Sequence, residues 1–122
     1  MSLRANMSIE NSTIFLRLEG ELDESSIKDV RSKLVLIMER HQVRNIVFNL
    51  KKLEFMDSSG IGLILGRYEE VKKKNGQVIL CDLNQNIEKI IILSGLLRIC
   101  TLRENEESAK WFLEDRKWQQ LF

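Results

Sequence analysis

The sequence has no proline, one histidine and two cysteines, and its charges nearly cancel, with nineteen basic against eighteen acidic side chains for a formal charge of +1. Each shortage removes a class of function. A chain that grips nucleic acid through phosphates gathers a basic excess on one face. The one basic run here, Lys72-Lys73-Lys74, follows Glu69-Glu70 and reads as the solvated end of a helix. No nucleic-acid partner is expected. No apolar run approaches the ~20 residues that span a bilayer. Residues 1–10 lack the apolar stretch of a secretory signal. A cytoplasmic protein with no membrane partner is expected. Cys81 and Cys100 lie in apolar stretches without Cys-x-x-Cys spacing, so they read as buried reduced thiols, with no metal site and no cofactor. His41 falls at a predicted helix end, where a cation is favourable, and has no visible partner as a catalytic base.

With 122 residues, 43% of them hydrophobic, the chain is expected to be one domain over 1–122. That apolar fraction excludes intrinsic disorder, and the short, changing periodicities exclude a coiled coil. No repeat, low-complexity tract or linker interrupts it.

Alternation predicts a strand over 13–19, closed by Gly20, with residues 5–9 pairing to it as a hairpin through Glu10-Asn11-Ser12. Residues 20–23 read as a loop, and Asp23 or Ser25 can cap a helix carrying Ile27, Val30, Leu34, Ile37 and Met38 on one face, ending near His41. A strand over 44–50 has an Ile-Val-Phe centre suited to burial on both sides. A loop over 51–57 leads to a helix over 58–74, stopped at Asn75-Gly76, with Gly76 as a left-handed C-cap. Then come a strand over 77–81, a helix over 87–93, a strand over 98–102 and a helix opening at Asn105-Glu106-Glu107. The order β-β-α-β-α-β-α-β-α predicts right-handed crossovers and a mostly parallel sheet. Trp111, Trp118, Leu121 and Phe122 form an apolar stripe near the C-terminus. It either packs onto the domain or meets a second subunit as a weak homodimer.

Residues 55–68, Phe-Met-Asp-Ser-Ser-Gly-Ile-Gly-Leu-Ile-Leu-Gly-Arg-Tyr, are the most unusual stretch. Asp57 reads as the N-cap, and Ile61, Ile64, Leu65, Tyr68 and Val71 as the apolar face. Gly60, Gly62 and Gly66 sit in the same helix, although an interior glycine costs about 1 kcal/mol against alanine. At about 100° per residue, Ser58, Gly62 and Gly66 fall on one narrow stripe away from the apolar face. Such a ridge lets another backbone approach closely, either inside the domain or from a partner. Ser58 has two readings. Its hydroxyl either bonds the free backbone N–H groups of the helix start or carries a phosphate, which that helix end would favour.

Catalytic readings fit poorly. A hydrolase elbow needs Gly-x-Ser-x-Gly, but Met56 stands two places before Ser58 and Asp57 two before Ser59. The Gly-Lys-Ser/Thr of a phosphate-binding loop is absent. Asp57 follows a central strand, as a phosphoacceptor aspartate would, but no lysine follows Val78-Ile79-Leu80-Cys81 to complete that site. The chain is therefore read as not an enzyme.

At Asp57-Ser58-Ser59-Gly60-Ile61-Gly62 the sequence resembles a STAS domain, and more narrowly the anti-sigma factor antagonists of sporulating bacteria. The resemblance extends over Leu18-Glu19-Gly20-Glu21-Leu22-Asp23, Asn45-Ile46-Val47-Phe48-Asn49-Leu50, the run from 55 to 68 and Ser94-Gly95-Leu96, and is poor in the tail from about 110. It implies an α/β fold: a single domain with a mostly parallel four- to five-stranded sheet and helices largely on one face. It implies an antagonist that, unmodified, binds an anti-sigma factor with serine kinase activity and releases the sigma factor. Phosphorylation would fall on Ser58, and a metal-dependent serine phosphatase would reverse it. Both sporulation and general-stress pathways fit. Partner contacts are assigned to Asp23, Asp57, Ser59, Gly60, Ile61, Gly62 and Gly66. The alternative is a self-associating scaffold or ligand-sensing STAS module.

Overall fold

The computed structural model describes the backbone of residues 2–121 and the side chains of residues 2–115. Two strands open the chain, β1 (Leu3–Glu10) and β2 (Thr13–Leu22), followed by α1 (Glu24–Arg40), β3 (Asn45–Met56), α2 (Ser58–Lys72) and β4 (Val78–Cys81). Next come α3 (Gln85–Ser94), a short 3₁₀ turn (Leu96–Arg98), β5 (Thr101–Arg103) and α4 (Glu106–Leu121). The sheet order is β1-β2-β3-β4-β5, antiparallel between β1 and β2 and parallel thereafter. The hairpin expected between β1 and β2 is present, but its turn is the two residues Asn11 and Ser12, with φ of 50° and 66°, because Glu10 is already paired with Thr13.

Strand order dictates the layers. Right-handed crossovers that step steadily across a sheet all land on the same face. Accordingly α1, α2 and α3 cover one face, over a core built from Leu16, Phe48, Leu50, Leu34, Leu63 and Ile91, with further buried side chains around them. Each such buried side chain contributes about 1.5–3 kcal/mol. The other face is covered by α4. There Phe15, Val47, Ile79 and Cys81 meet Ala109, with Phe112 and Leu113 packed alongside.

Polar contacts hold α4 in place. The Arg17 guanidinium donates to both carboxylate oxygens of Glu106 at 2.8 Å each, and Asn49 donates to the same carboxylate at 2.7 Å. Arg17 holds the Glu106 carboxyl below the usual carboxylate range. Trp111 points outward, 72% exposed. The side chains of Trp118, Leu121 and Phe122, the rest of the predicted stripe, lie outside the described residues.

Several boundaries differ from expectation. The loops expected over 20–23 and 51–57 are paired strand as far as Leu22 and Met56, which face each other in the register. The register irregularities opposite Arg17–Glu19 and Gly20–Glu21 each add a residue to β3, so its inward Leu50, Leu53 and Met56 fall three apart and hid the end of that strand, whereas β2 keeps its alternation through Leu18, Gly20 and Leu22. Gly20 has a φ of 106°, and a Cβ there would collide with the backbone oxygen of Ser2. α2 stops at Lys72 because Asn75, at φ 59°, makes the left-handed turn expected of Gly76. Gly76 is instead the only residue that fits, because a Cβ there would strike the carbonyl of Arg44. α3 starts two residues early, capped by Asn84, whose Oδ1 accepts from the Ile87 N–H at 3.0 Å. The strand expected over 98–102 begins only at Thr101, since the Cys100 N–H donates to the Leu96 carbonyl at 2.8 Å and keeps that segment wound.

Cys81 and Cys100 are free and buried, and burial pushes both thiols up to about 12. Neither is a nucleophile near neutral pH. His41 is the exposed C-cap of α1, as expected. No helix among the described residues is long and apolar enough to cross a membrane.

Candidate functional site at the start of α2

The extra length of β2 and β3 builds the site. Both strands run to the same level, Leu22 beside Met56, and each delivers an aspartate directly into a helix. Asp23 caps α1 and Asp57 caps α2, and the Asp57 N–H donates to the Leu22 carbonyl at 3.3 Å. Two helix N-termini thus stand side by side at the C-terminal end of the parallel strands, the end where such sheets commonly place their binding sites.

The Asp57 carboxylate accepts from the Ser59 N–H at 2.8 Å. The Asp57 carbonyl accepts from the Gly60 and Ile61 N–H groups at 3.1 and 3.2 Å. Asp57 therefore does the capping, and the Ser58 hydroxyl is left without a hydrogen bond to the described residues. Ser58 is exposed. Asp23 forms a capping box with Ser26: its carboxylate accepts from the Ser25 and Ser26 N–H groups at 3.0 and 3.1 Å and from the Ser25 hydroxyl at 2.7 Å. The bond from the Ser25 hydroxyl draws the Asp23 carboxyl below its ordinary value.

The glycines divide by role. A Cβ on Gly62 or Gly66 would meet nothing among the described residues within 4 Å. Close packing inside the domain, the first of the two explanations for this ridge, is thereby excluded. At 100° per residue Leu65, 41% exposed, falls on the same stripe. The ridge thus presents a hydroxyl, then bare backbone, then an apolar side chain. Gly60 is different. It is buried, and a Cβ would lie 2.6 Å from Met56 Cγ and 3.0 Å from the Leu22 carbonyl oxygen. Gly60 presents no surface to a partner, and its place in the contact set is corrected: it seats α2 against the ends of β2 and β3.

That close seating rotates the helix relative to expectation. The buried face is Gly60, Leu63, Ile64 and Val71, Leu65 turns outward, and Ile61 and Tyr68 flank the core half-buried. Ser59 is half-buried beside Asp57, its N–H committed to the cap. Two features escaped the sequence reading. Phe55, three residues before Ser58, is 45% exposed. Arg67 lies on the inward side of α2 with Nε and Nη1 buried and unpartnered, and desolvation lowers its pKa.

The family model for the STAS domain matches residues 4–109. The chain belongs to the STAS family. An anti-sigma F factor antagonist of Paenibacillus polymyxa is 39% identical over 93% of this chain and 97% of its own length. The anti-sigma factor antagonist SpoIIAA in its unphosphorylated form superposes with a TM-score of 0.73 at 28% identity, covering 93% of this chain and 98% of that one. The Bacillus cell fate determinant SpoIIAA in the phosphorylated form gives 0.71 at 31% identity, covering 89% and 99%. The relatives of this STAS domain are anti-sigma factor antagonists, and the fold expected from the sequence, a mostly parallel sheet with helices largely on one face, is theirs.

Proposed function

We propose that this STAS domain is an anti-sigma factor antagonist switched by phosphorylation at Ser58. The unmodified protein binds an anti-sigma factor that is also a serine kinase, and so releases a sigma factor to transcription. The modified protein does not bind, and a metal-dependent serine phosphatase restores it. The domain catalyses nothing itself and works in the cytoplasm. One observation carries this reading: the exposed, unbonded Ser58 hydroxyl heads a helix ridge that is bare at Gly62 and Gly66. A kinase needs an accessible hydroxyl, and a partner that packs closely needs an adjoining flank free of side chains. Asp57, Ser59, Ile61, Gly62 and Gly66 form the contact strip along α2, with Asp23 beside it at the head of α1.

The test mixes the protein with an anti-sigma kinase of this family and ATP and maps the phosphate by mass spectrometry. Phosphate at Ser58 and nowhere else is expected; phosphate on Ser59 or Ser25 would overturn the assignment. Ser58→Ala binds the kinase and resists modification. Ser58→Asp binds at least about tenfold more weakly, about 1.4 kcal/mol. Unchanged affinity would remove charge from the explanation.

A further inference from the structure

Strand β1 is the long edge of the sheet, eight residues against three in β5 at the opposite edge. Among the described residues only β2 pairs with it, so its outer row of backbone groups faces no described strand. Natural edges of this length are usually blunted by lysine, proline or a bulge, because they template pairing with another chain. Leu3-Arg4-Ala5-Asn6-Met7-Ser8-Ile9-Glu10 has no lysine, proline or bulge, and the charges it does carry, Arg4 and Glu10, stand near its two ends. Its pairing with β2 is unbroken from Leu3 opposite Gly20 to Glu10 opposite Thr13.

The two charges on this strand have opposite sign and lie three residues either side of Met7. Alternation puts Arg4, Asn6, Ser8 and Glu10 on one face, and Leu3, Ala5, Met7 and Ile9 on the other. The second set runs along the helix layer, where Leu3, Ala5 and Met7 line a cleft with Val30 of α1. Ala5 and Ile9 are exposed, and Leu3 and Met7 only half-buried. The strand therefore carries apolar side chains that its own domain does not cover.

We propose that β1 pairs antiparallel with β1 of a second copy of this chain, in the register that places Met7 opposite Met7. Residues directly opposite in an antiparallel pair share a face. In this register Arg4 of each copy faces Glu10 of the other, Asn6 faces Ser8, and Ala5 faces Ile9. Every residue from 4 to 10 finds a partner. The faces match, so the sheet continues through the junction with the α1–α3 layers of both copies on the same side. A slip of two residues one way sets Arg4 against Ser8, and the other way sets Glu10 against Asn6. Either slip loses both ion pairs. The charge pattern thus selects one register and one occupant, this chain itself.

A strand-edge contact is small and the pairing correspondingly weak, so sedimentation equilibrium of the full chain is read from about 10 μM to about 1 mM. A reversible dimer is expected. Arg4→Glu and Glu10→Arg should each weaken it about tenfold, since each sets like charges opposite one another twice. An equimolar mixture of the two variants should associate as the wild type does, because every charge then faces its opposite in the mixed pair. Glu10 also meets Lys110 of α4 at 3.1 Å, so Lys110→Ala serves as the control and should leave association unchanged. Under mild oxidation Met7→Cys should form a disulfide-linked dimer rapidly, and Ala5→Cys, whose counterpart is Ile9, should not. A monomer throughout the range overturns the proposal. So does association that survives both charge variants, fails to recover in the mixture, or disappears with Trp111→Ser.

Discussion

Replacing Gly62 or Gly66 by alanine adds a methyl group to a part of α2 where none of the described residues lies within 4 Å. The native state meets no new contact, so the backbone term is left alone. Alanine is favoured over glycine in a helix interior by about 1 kcal/mol. Each variant should therefore be about 1 kcal/mol more stable, and the double variant about 2, since the two methyls add no strain. For a chain of this size that raises the melting temperature by roughly 3–5 °C per substitution. Urea denaturation with an unchanged slope and a higher midpoint is the assay. Gly60→Ala is the internal contrast. Its methyl would press into Met56 and the Leu22 carbonyl, and overpacking of this kind costs about 1–3 kcal/mol. Binding to the kinase partner should run against stability, falling for Gly62→Ala and Gly66→Ala although the fold is firmer. If either exposed-ridge variant were less stable than the wild type, something within the domain would be closing on the ridge, and the open-flank argument would fail. If both gained stability and kept full affinity, the ridge would be a mere surface and the cost of two glycines would have no explanation.

Arg67→Leu should leave stability unchanged or raise it by about 1 kcal/mol, because it removes two buried, unpartnered guanidinium nitrogens; a loss above 1 kcal/mol in urea would mean the guanidinium has a partner. Glu106→Gln should cost about 1–2 kcal/mol at pH 7, read from thermal melts of variant and wild type. The folded-state pKa of Glu106 is depressed, so its contribution is complete above the unfolded carboxylate value near 4.5 and is lost as pH falls through the folded value. The gap between wild type and Glu106→Gln should close in acid; a gap that widened there would refute the clamp.

The element order was legible because the hydrophobic period switches cleanly, from alternation at Ile14, Leu16 and Leu18 to helical spacing at Ile27, Val30, Leu34 and Met38, all buried. Caps were legible for the same local reason: Asp57 stands directly before apolar periodicity, and the cap of α1 was narrowed to Asp23 or Ser25, of which Asp23 is the one used. The end of β3 was not legible, since two residues inserted against β2 set the buried Leu50, Leu53 and Met56 three apart, off the two-residue period; β2 keeps its alternation to Leu22, but Gly20 reads as its end. The rotation of α2 was hidden too. A glycine gives no hydropathy signal, so Gly60 could not be recognised as part of the buried face, and Leu63 was displaced from it in favour of Leu65. Arg67 shares the helical angle of Gly60 and lies between Leu63 and Val71. That spacing was the available signal, but a charged residue is read outward by default. On α4 the exposed tryptophan misled. Trp111 turns to solvent, while Phe112 and Leu113, one and two positions on, pack against the sheet.

The strand extensions that the sequence concealed are also what give the Ser58 region its electrostatics. Because β2 and β3 end together, the N-termini of α1 and α2 bring their positive dipole ends to one place, each equivalent to roughly half a charge. Asp23 and Asp57 set two carboxylates against them, leaving a local balance of about −1. A phosphate on Ser58 adds −1.5 to −2 and takes that balance to about −3. Ser58 bonds to no described side chain, so none has to move for this change to occur, and the fold can stay the same while the field at the ridge roughly triples. Exposed charge of this kind is screened by salt within about 10 Å at 0.1 M ionic strength. The affinity lost in Ser58→Asp should accordingly shrink as salt is raised from about 0.05 to about 0.5 M. A loss that did not vary with salt would point to shape at the helix start, rather than charge, as what the partner reads.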